Sequence, residues 1–440
     1  MKPRNLLIAA ILLAALSGAV WWSKRHPEAA QSTPATPPNP KLVDIPEAQV
    51  QSINLKKKDG PLLTVERKGD KWAITQPQSY ATDQDAVNSL ASSLNPVSAD
   101  NVVEDKATDL GKYGLTTPSL TVAVRQKNGK TSDLVFGDDV PAGSLVYARV
   151  GTEPKVYAVS SSVKTSFDKG VNDLRDKRLL TFNSNNLSRI EIVSGKSDIE
   201  FGKSNANDWQ IIKPQPYRAD NFQVEELLRK LTDAKMDLST SAGDAKKADT
   251  AFASGQPVAS AKVSDAGGTQ SLDVRKNKDD YYARSSSVKG VYKVSSDLGK
   301  ELEKTLDDFR NKKIFDFGFS DPTKIEVTGT PGDKTYTRSG TDWKLNGQVM
   351  DSASVQSFID KLRDLAATKF ATSSFSSPVM TLAVTSNDGK RFEKVELAKT
   401  NDGYLARRQN EPALYQLDNK AVSDILEAGK AIKPATPSKK

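Results

Sequence analysis

The chain has 440 residues, one histidine and no cysteine, which is enough length for several domains with separate cores. A Ser-His-Asp or Cys-His nucleophile system and a His/Cys zinc site are excluded from the body, because the single histidine, His26, lies beside an apolar amino-terminal segment. The net charge of +8 comes largely from residues that flank this segment and end the chain. No clustered basic block is present, so we expect no nucleic-acid partner.

Residues 1–26 are predicted to be a membrane anchor. Two basic residues precede and two follow an uncharged, mostly apolar run over 5–23, which is about the length that crosses a hydrocarbon core as a helix. Small residues near its end leave a cleaved signal peptide as the alternative. Trp21 and Trp22 favour a retained anchor with an interfacial aromatic belt. Residues 27–45, rich in Pro, Ala and Thr, are predicted to be an extended linker.

Three successive copies of one domain follow the linker. An alternating strand leads into a tryptophan in each copy, and a helix, a proline-led strand, a Tyr/Arg strand and an apolar-Tyr pair come after it. Arg149 and Arg284 are 135 residues apart, as are Tyr157 and Tyr292, and a period this long indicates tandem domains. The three tryptophans are Trp72, Trp209 and Trp343. The predicted domains are 46–182, 183–317 and 318–433, with a disordered tail over 434–440.

The periodicity of each copy predicts its secondary structure. Period-two alternation interrupted by Gly and Asp indicates antiparallel strands joined by hairpins. A helix after each tryptophan is predicted to start at Asp83, at Asp220 and at Asp351 or Ser352. Its apolar stripe is Ala86, Val87, Leu90 and Leu94 in copy one, Phe222, Leu227, Leu228 and Leu231 in copy two, and Val355, Phe358, Ile359, Leu362 and Leu365 in copy three. Further helical stretches are predicted near 160–169, 296–309 and 422–426. The predicted fold class is α+β: three tandem antiparallel-sheet domains, each with one or two covering helices, after an amino-terminal transmembrane helix.

Few motifs carry chemistry. Two Ser-x-x-Lys stretches, Ser161–Lys164 and Ser286–Lys289, fall at non-equivalent points of their copies and lack the accompanying elements of serine enzymes that use a lysine base. The carboxylate pairs Asp138-Asp139 and Asp279-Asp280 fall in predicted turns, where Asp serves local hydrogen bonding. We therefore predict no catalytic residue, no metal site and no cofactor, and a carboxylate-dependent hydrolase is the least favoured function.

The Tyr/Arg strand is the best candidate for a role beyond packing. Alternation places Tyr147 with Arg149, and Tyr282 with Arg284, on one face of a strand. Such residues suit stacking on a glycan or a partner protein. The alternative is structural: the tyrosine covers the core edge and the arginine pairs with a carboxylate of its own copy. The tryptophans are predicted to be core residues. The candidate interaction surface consists of Tyr147, Arg149, Tyr282, Arg284, Tyr404 and Arg407.

Copy one resembles the bacterial envelope proteins that share domain of unknown function 4340. The residues that carry the resemblance are Trp72-Ala73-Ile74 with Pro77, Tyr113-Gly114-Leu115 with Pro118, Phe136-Gly137, Tyr147-Ala148-Arg149, Val156-Tyr157 and Leu174-Arg175-Asp176-Lys177. Copies two and three keep the Trp, Pro, Tyr/Arg and Tyr positions but lose Tyr-Gly-Leu. The similarity spans roughly residues 45–430.

The resemblance implies a single-pass protein of the bacterial inner membrane with its body on the extracytoplasmic side. It implies association with ABC-type transport systems of the gliding-motility kind and no known catalytic residue. The expected function is thus a non-catalytic, membrane-anchored scaffold with a protein partner. The alternative is a module that binds cell-wall glycan or peptidoglycan.

Overall fold

A computed structural model describes residues 39–141, 143–204, 208–238, 244–318, 322–329 and 332–436. The predicted membrane anchor, the linker up to residue 38 and the last four residues of the predicted tail lie outside these ranges. Within them, no helix is both long enough and apolar enough to cross a membrane. The chain divides into two compact units, the first ending at Asp176 and the second beginning at Lys177.

The first unit contains one large and one small antiparallel sheet. The large sheet has the strand order β4-β3-β2-β7-β8-β9-β10-β6, and β1 pairs with β5. The end of the predicted linker therefore forms a short strand. The strands are β1 Lys41–Val43, β2 Val50–Lys57, β3 Leu62–Lys68, β4 Lys71–Gln76, β5 Val97–Ser98, β6 Asn101–Glu104, β7 Leu120–Gln126, β8 Thr131–Asp139, β9 Leu145–Val150 and β10 Val156–Ser160.

The second unit contains two large antiparallel sheets. Their strand orders are β14-β13-β12-β11-β15-β16-β17-β18 and β22-β21-β20-β19-β24-β25-β26-β27-β23. The strands of the second large sheet are β11 Arg189–Ser194, β12 Ser197–Lys203, β13 Trp209–Lys213, β14 Tyr217–Arg218, β15 Gln256–Asp265, β16 Gly268–Asn277, β17 Asp280–Ser285 and β18 Val291–Val294. Those of the third are β19 Lys324–Gly329, β20 Lys334–Ser339, β21 Asp342–Leu345, β22 Gln348–Met350, β23 Lys369–Ala371, β24 Met380–Ser386, β25 Arg391–Thr400, β26 Gly403–Arg408 and β27 Leu414–Leu417.

The three large sheets have the same plan. A meander runs outward from a central strand (β2, β11 or β19) through the tryptophan strand, the chain crosses back with a helix, and a second meander runs outward from the other side of that central strand. The helices are α1 Gln84–Ser92, α2 Ser161–Phe167, α3 Val171–Leu174, α4 Asn221–Thr232, α5 Asp244–Ser254, α6 Ser296–Leu302, α7 Leu306–Phe309, α8 Ser352–Asp364 and α9 Asn419–Lys430.

Local sequence determines where the crossing helices α1, α4 and α8 begin. The side chain of the aspartate before each helix accepts a hydrogen bond from a backbone N–H of the first turn, which would otherwise have no intrahelical partner. These N-caps are Asp83, Asp220 and Asp351. Each helix then buries an apolar stripe against its sheet.

The predicted stripe of α4 is wrong at one position. Phe222 is 73% exposed, and Val224 is buried in its place with Leu227 and the other two predicted leucines. Position 224 is three residues before 227, whereas 222 is five residues before it and points about 140° away around the helix. The helix α5 was not predicted, since it buries only Ala248 and Phe252 among its described side chains and has no apolar stripe.

The outer edge beyond each tryptophan strand is closed by a segment that follows the last helix of that sheet. Isolated bridges join Thr82 to Arg175, Ala219 to Arg310 and Met350 to Pro434. The third bridge shows that the predicted disordered tail begins too early. Pro434 takes part in the sheet edge, and the backbone N–H of Ala435 donates to the carbonyl of Val349 at 3.0 Å. An edge with unpaired backbone groups is a liability for aggregation, and these segments cover it.

Candidate interaction surface

The recurrent tryptophans are core residues, as predicted. Trp72, Trp209 and Trp343 are between 3% and 5% exposed. The indole N–H of Trp72 donates to Asn88 at 2.8 Å, and that of Trp209 donates to Glu225 at 2.5 Å. Both acceptors lie on the crossing helix, 16 residues after the tryptophan. A buried indole needs such a partner, so these contacts fix the helix on the sheet.

The Tyr/Arg strand of the first sheet, β9, is covered by its own copy. Tyr147 packs edge-on against Tyr113 with ring centroids 4.9 Å apart, over a small cluster that includes buried Leu115. The Tyr113 hydroxyl donates to Glu104 at 2.6 Å, and this bond, followed by desolvation, raises the pKa of the phenol. Arg149 is half-buried, and its Nε makes no hydrogen bond.

The geometry beneath this cover explains two glycines. A Cβ at Gly137 would overlap the carbonyl oxygen of Tyr113, and a Cβ at Gly114 would overlap the carboxyl group of Asp138. Gly114 also has φ +66°, a left-handed conformation that favours glycine. The Tyr-Gly-Leu and Phe-Gly motifs are therefore two halves of one close backbone contact.

Helix α5 covers the Tyr/Arg strand of the second sheet, β17. Phe252 lies between two guanidinium groups, 4.7 Å from Arg275 and 4.6 Å from Arg284, and is 3% exposed. Tyr282 packs against the same small cluster, which also contains Ala248. The guanidinium of Arg275 donates to the carbonyl of Phe252 at 3.3 Å. The arginines of this strand face thus stack on a residue of their own copy.

In the third sheet, Arg407 satisfies both halves of the structural alternative. It pairs with Glu396 at 2.6 Å and stacks on Phe375 at 4.3 Å, while its side chain stays 47% exposed. Tyr404 lies on the other face of β26 and packs against the core. Leu405 occupies the position that Tyr147 and Tyr282 hold in their strands, as the strand registers show.

Sequence reasoning missed the aromatic partners of these arginines. A signal was present, because Phe252 and Phe375 each stand 32 residues before the stacked arginine of their copy. The structure thus keeps each Tyr/Arg pair with a local cover. The exposed exception is Arg407, which lines a shallow depression with Lys394 and Glu396.

Sequence reasoning also missed a polar joint between the second and third sheets. Arg218, at the end of β14, bonds Asp316 at 2.6 Å and donates to the Tyr415 hydroxyl at 3.0 Å. Its Nε lies 3.0 Å from Glu411 Oε1 in a geometry too poor for a hydrogen bond. Arg408 donates to the same carboxylate at 2.7 Å. We call Arg218, Asp316, Arg408, Glu411 and Tyr415 the inter-sheet joint.

Burial makes the joint electrostatically strong. Burial alone would lower the pKa of Arg218, but Tyr415, Asp316 and Glu411 outweigh it and the net shift is upward. Burial, together with Glu411, raises the pKa of Tyr415 to about 12 although Arg218 opposes the shift. The Tyr415 hydroxyl therefore stays protonated and donates to Glu411 at 2.7 Å.

An aromatic layer reinforces the joint. The Arg310 guanidinium lies 4.1 Å from the ring centroid of Tyr217 and 3.5 Å from that of Phe370. Tyr217 belongs to the second sheet and Phe370 to the third, so one buried cation links both. In the first unit, Arg175 stacks on Tyr80 in the same way at 4.7 Å.

A separate ion-pair cluster lies within the second sheet. Glu200 is 4% exposed and pairs with Arg189 and with Lys213, the latter at 3.1 Å. Burial pushes the pKa of Glu200 upward, but the two basic partners outweigh it and the net shift is downward. Among the described residues, no group of three or more acidic or histidine side chains is placed to hold a metal ion.

These features define an α+β protein of antiparallel sheets whose recurrent residues mostly serve packing. Two adjacent segments, residues 72–208 and 209–381, match the family described as Domain of unknown function (DUF4340). They cover more than half of the chain and begin at Trp72 and at Trp209, consistent with a repeated domain. The chain belongs to this family, which confirms the resemblance. No curated protein matches the chain.

Proposed function

We propose that the protein is a non-catalytic scaffold made of three tandem copies of one α+β domain. An amino-terminal helix would anchor it in the bacterial inner membrane, with the body on the extracytoplasmic side. It would act as an accessory to an ABC-type transport system. The observation that carries this proposal is the use made of the recurrent residues: the tryptophans, and most of the Tyr/Arg positions, are spent on packing within their own sheet.

The shared plan of the sheets supports three copies. In each large sheet the tryptophan strand lies two positions from the same central strand, and the Tyr/Arg strand lies three positions away on the other side. The buried Ala–Tyr pair recurs in register as Ala148 with Tyr157, Ala283 with Tyr292, and Ala406 with Tyr415.

The inter-sheet joint supports a scaffold role. Tandem domains move relative to each other unless their interface is large or strongly bonded. A buried network of charge-assisted bonds holds the second and third sheets in one unit. Such a body presents its outer surfaces in a fixed relation, which suits the binding of one partner at two places.

Partner capture tests the scaffold. Full-length protein would be purified from crosslinked native membranes and analysed by mass spectrometry, for the wild type, Arg407→Glu and Arg229→Ala. Arg229 is the control, since it is 54% exposed and pairs only within its own helix. Recovery of transporter subunits supports the proposal. Their loss in Arg407→Glu alone would place the contact at the Arg407 surface, and recovery of no protein partner in any form would contradict the scaffold.

The absence of cysteine from the sequence allows a clean test of location. Ser423 is exposed on α9, so Ser423→Cys introduces a single thiol. We expect a membrane-impermeant maleimide to label it in cells whose outer membrane is permeabilised and whose inner membrane is intact. Labelling only after lysis of the inner membrane would contradict an extracytoplasmic body.

A wall-glycan binding module is the second candidate. It is favoured by one observation: Arg407 is half exposed on Phe375 beside Lys394 and Glu396, and stacked cation–aromatic pairs bind sugars and peptides well. Co-sedimentation with purified peptidoglycan tests it. Binding by the wild type that Arg407→Glu abolishes, without recovery of a protein partner, would replace the scaffold by this function.

A further inference from the structure

A narrow apolar pocket opens in the third sheet, between its inner face and helices α8 and α9. Its enclosed volume is about 20 Å³, which admits one methyl-sized group at a time beyond the mouth. An aromatic ring does not fit without displacing a wall. The apolar walls include Val327, Phe358, Met380, Leu382 and Ile425.

Two polar groups line this pocket. Tyr336 is 1% exposed, and within the described part of the chain its hydroxyl makes no hydrogen bond. Desolvation raises the pKa of this phenol, so it remains a donor at neutral pH. Lys334 lines the pocket as well and makes no ion pair with any described residue. A buried donor without an acceptor is costly, which makes this pair the informative feature.

A trapped water is a poor occupant of this pocket. A buried water needs two to four polar partners, and the remaining described lining is almost entirely hydrocarbon. An alkyl chain suits the walls, whereas the hydroxyl and the ammonium suit an anionic acceptor at its end. The two requirements are met together by an unbranched amphiphile with a carboxylate head.

We propose that this pocket binds the chain of a small alkyl carboxylate, with Tyr336 and Lys334 at the carboxylate. The walls then contact the methylenes in single file, and the Tyr336 hydroxyl donates to a carboxylate oxygen. The proposal is independent of the scaffold function, because it concerns a ligand of the isolated chain.

Methyl NMR tests the proposal on the full-length protein. The chain has four methionines, and with ¹³C-labelled methionine methyls in lipid nanodiscs Met380 reports on the pocket. Met236, which lies in the core of the second sheet, is the internal control. Hexanoate, octanoate and 1-octanol would be titrated. We expect a saturable shift of the Met380 signal with octanoate, about fourfold tighter for each added methylene.

Three variants sharpen the test. Gly429→Leu fills the pocket, since even a Cβ at this position would lie 3.3 Å from the Phe358 ring, and it should abolish the Met380 shift. Ser423→Leu, exposed on the same helix, should leave the shift intact. Tyr336→Phe should weaken octanoate by about tenfold and 1-octanol much less, because only the carboxylate forms a charge-assisted bond.

The overturning results are specific. An absent Met380 shift at millimolar octanoate refutes the site. An equal shift in Gly429→Leu places binding elsewhere and refutes it too. Equal affinity of wild type and Tyr336→Phe for octanoate refutes the role of the hydroxyl, and this variant remains informative even if Gly429→Leu does not fold.

Discussion

Arg218→Ala is expected to loosen the second and third sheets together. The side chain is 17% exposed, bonds Asp316 at 2.6 Å and Tyr415 at 3.0 Å, and lies beside Glu411. Removing one member of a buried ion pair costs about 3–5 kcal/mol, because the other charge stays buried without its partner. Arg408 still donates to Glu411 in the variant, and Asp316 keeps 31% exposure. We therefore expect a loss of about 2–4 kcal/mol.

Hydrogen exchange followed by mass spectrometry measures this loss sheet by sheet. The full chain need not unfold in one step, so protection would be compared for peptides that contain Trp209 and for peptides that contain Trp343. Arg229→Ala, which removes an exposed ion pair, is the control and should change stability by less than about 0.5 kcal/mol. Lower protection in both sets supports a joint that couples the sheets. A loss confined to the Trp209 peptides would refute the coupling.

Three further changes test the local structure. Gly137→Ala should destabilise the first sheet by about 2 kcal/mol because its Cβ meets the Tyr113 carbonyl, and exchange of peptides from that contact would report it. Phe252→Ala should cost about 3 kcal/mol and release α5, whereas Phe222→Ala, at a 73% exposed position, should cost almost nothing in urea unfolding. The folded pKa of Glu200 lies below its ordinary 4.5, so its stabilisation is complete above that pH and is lost as pH falls through the folded pKa. Glu200→Gln should therefore flatten the acid limb of the unfolding midpoint, and an unchanged limb would contradict the assignment.

The elements that depend on neighbouring residues were predictable. Asp83, Asp220 and Asp351 cap their helices because an N-cap needs only a side-chain oxygen two or three residues before the N–H it accepts. Strand alternation predicted the antiparallel sheets for the same reason. Phe222 was misplaced because hydrophobicity was counted without its angle around the helix.

The candidate surface was only half predictable. Recurrence in the sequence singled out Arg284 and Arg407, and the structure shows an aromatic ring against each. The sequence did not show that Phe252 comes from a helix present in the second sheet, because α5 is held by two buried side chains and has no stripe to reveal it.

By itself, the sequence determined the strands, the caps, the buried tryptophans and the period that relates the copies. Only the tertiary structure decided the inter-sheet joint and the pocket beside Tyr336. Arg218 and Asp316 are 98 residues apart along the chain, and a charged residue on a short strand is compatible with an exposed position as well as with a buried one. Long-range pairing of charges, and a void between a sheet and two helices, depend on how whole elements pack, and neither leaves a periodic pattern in the chain.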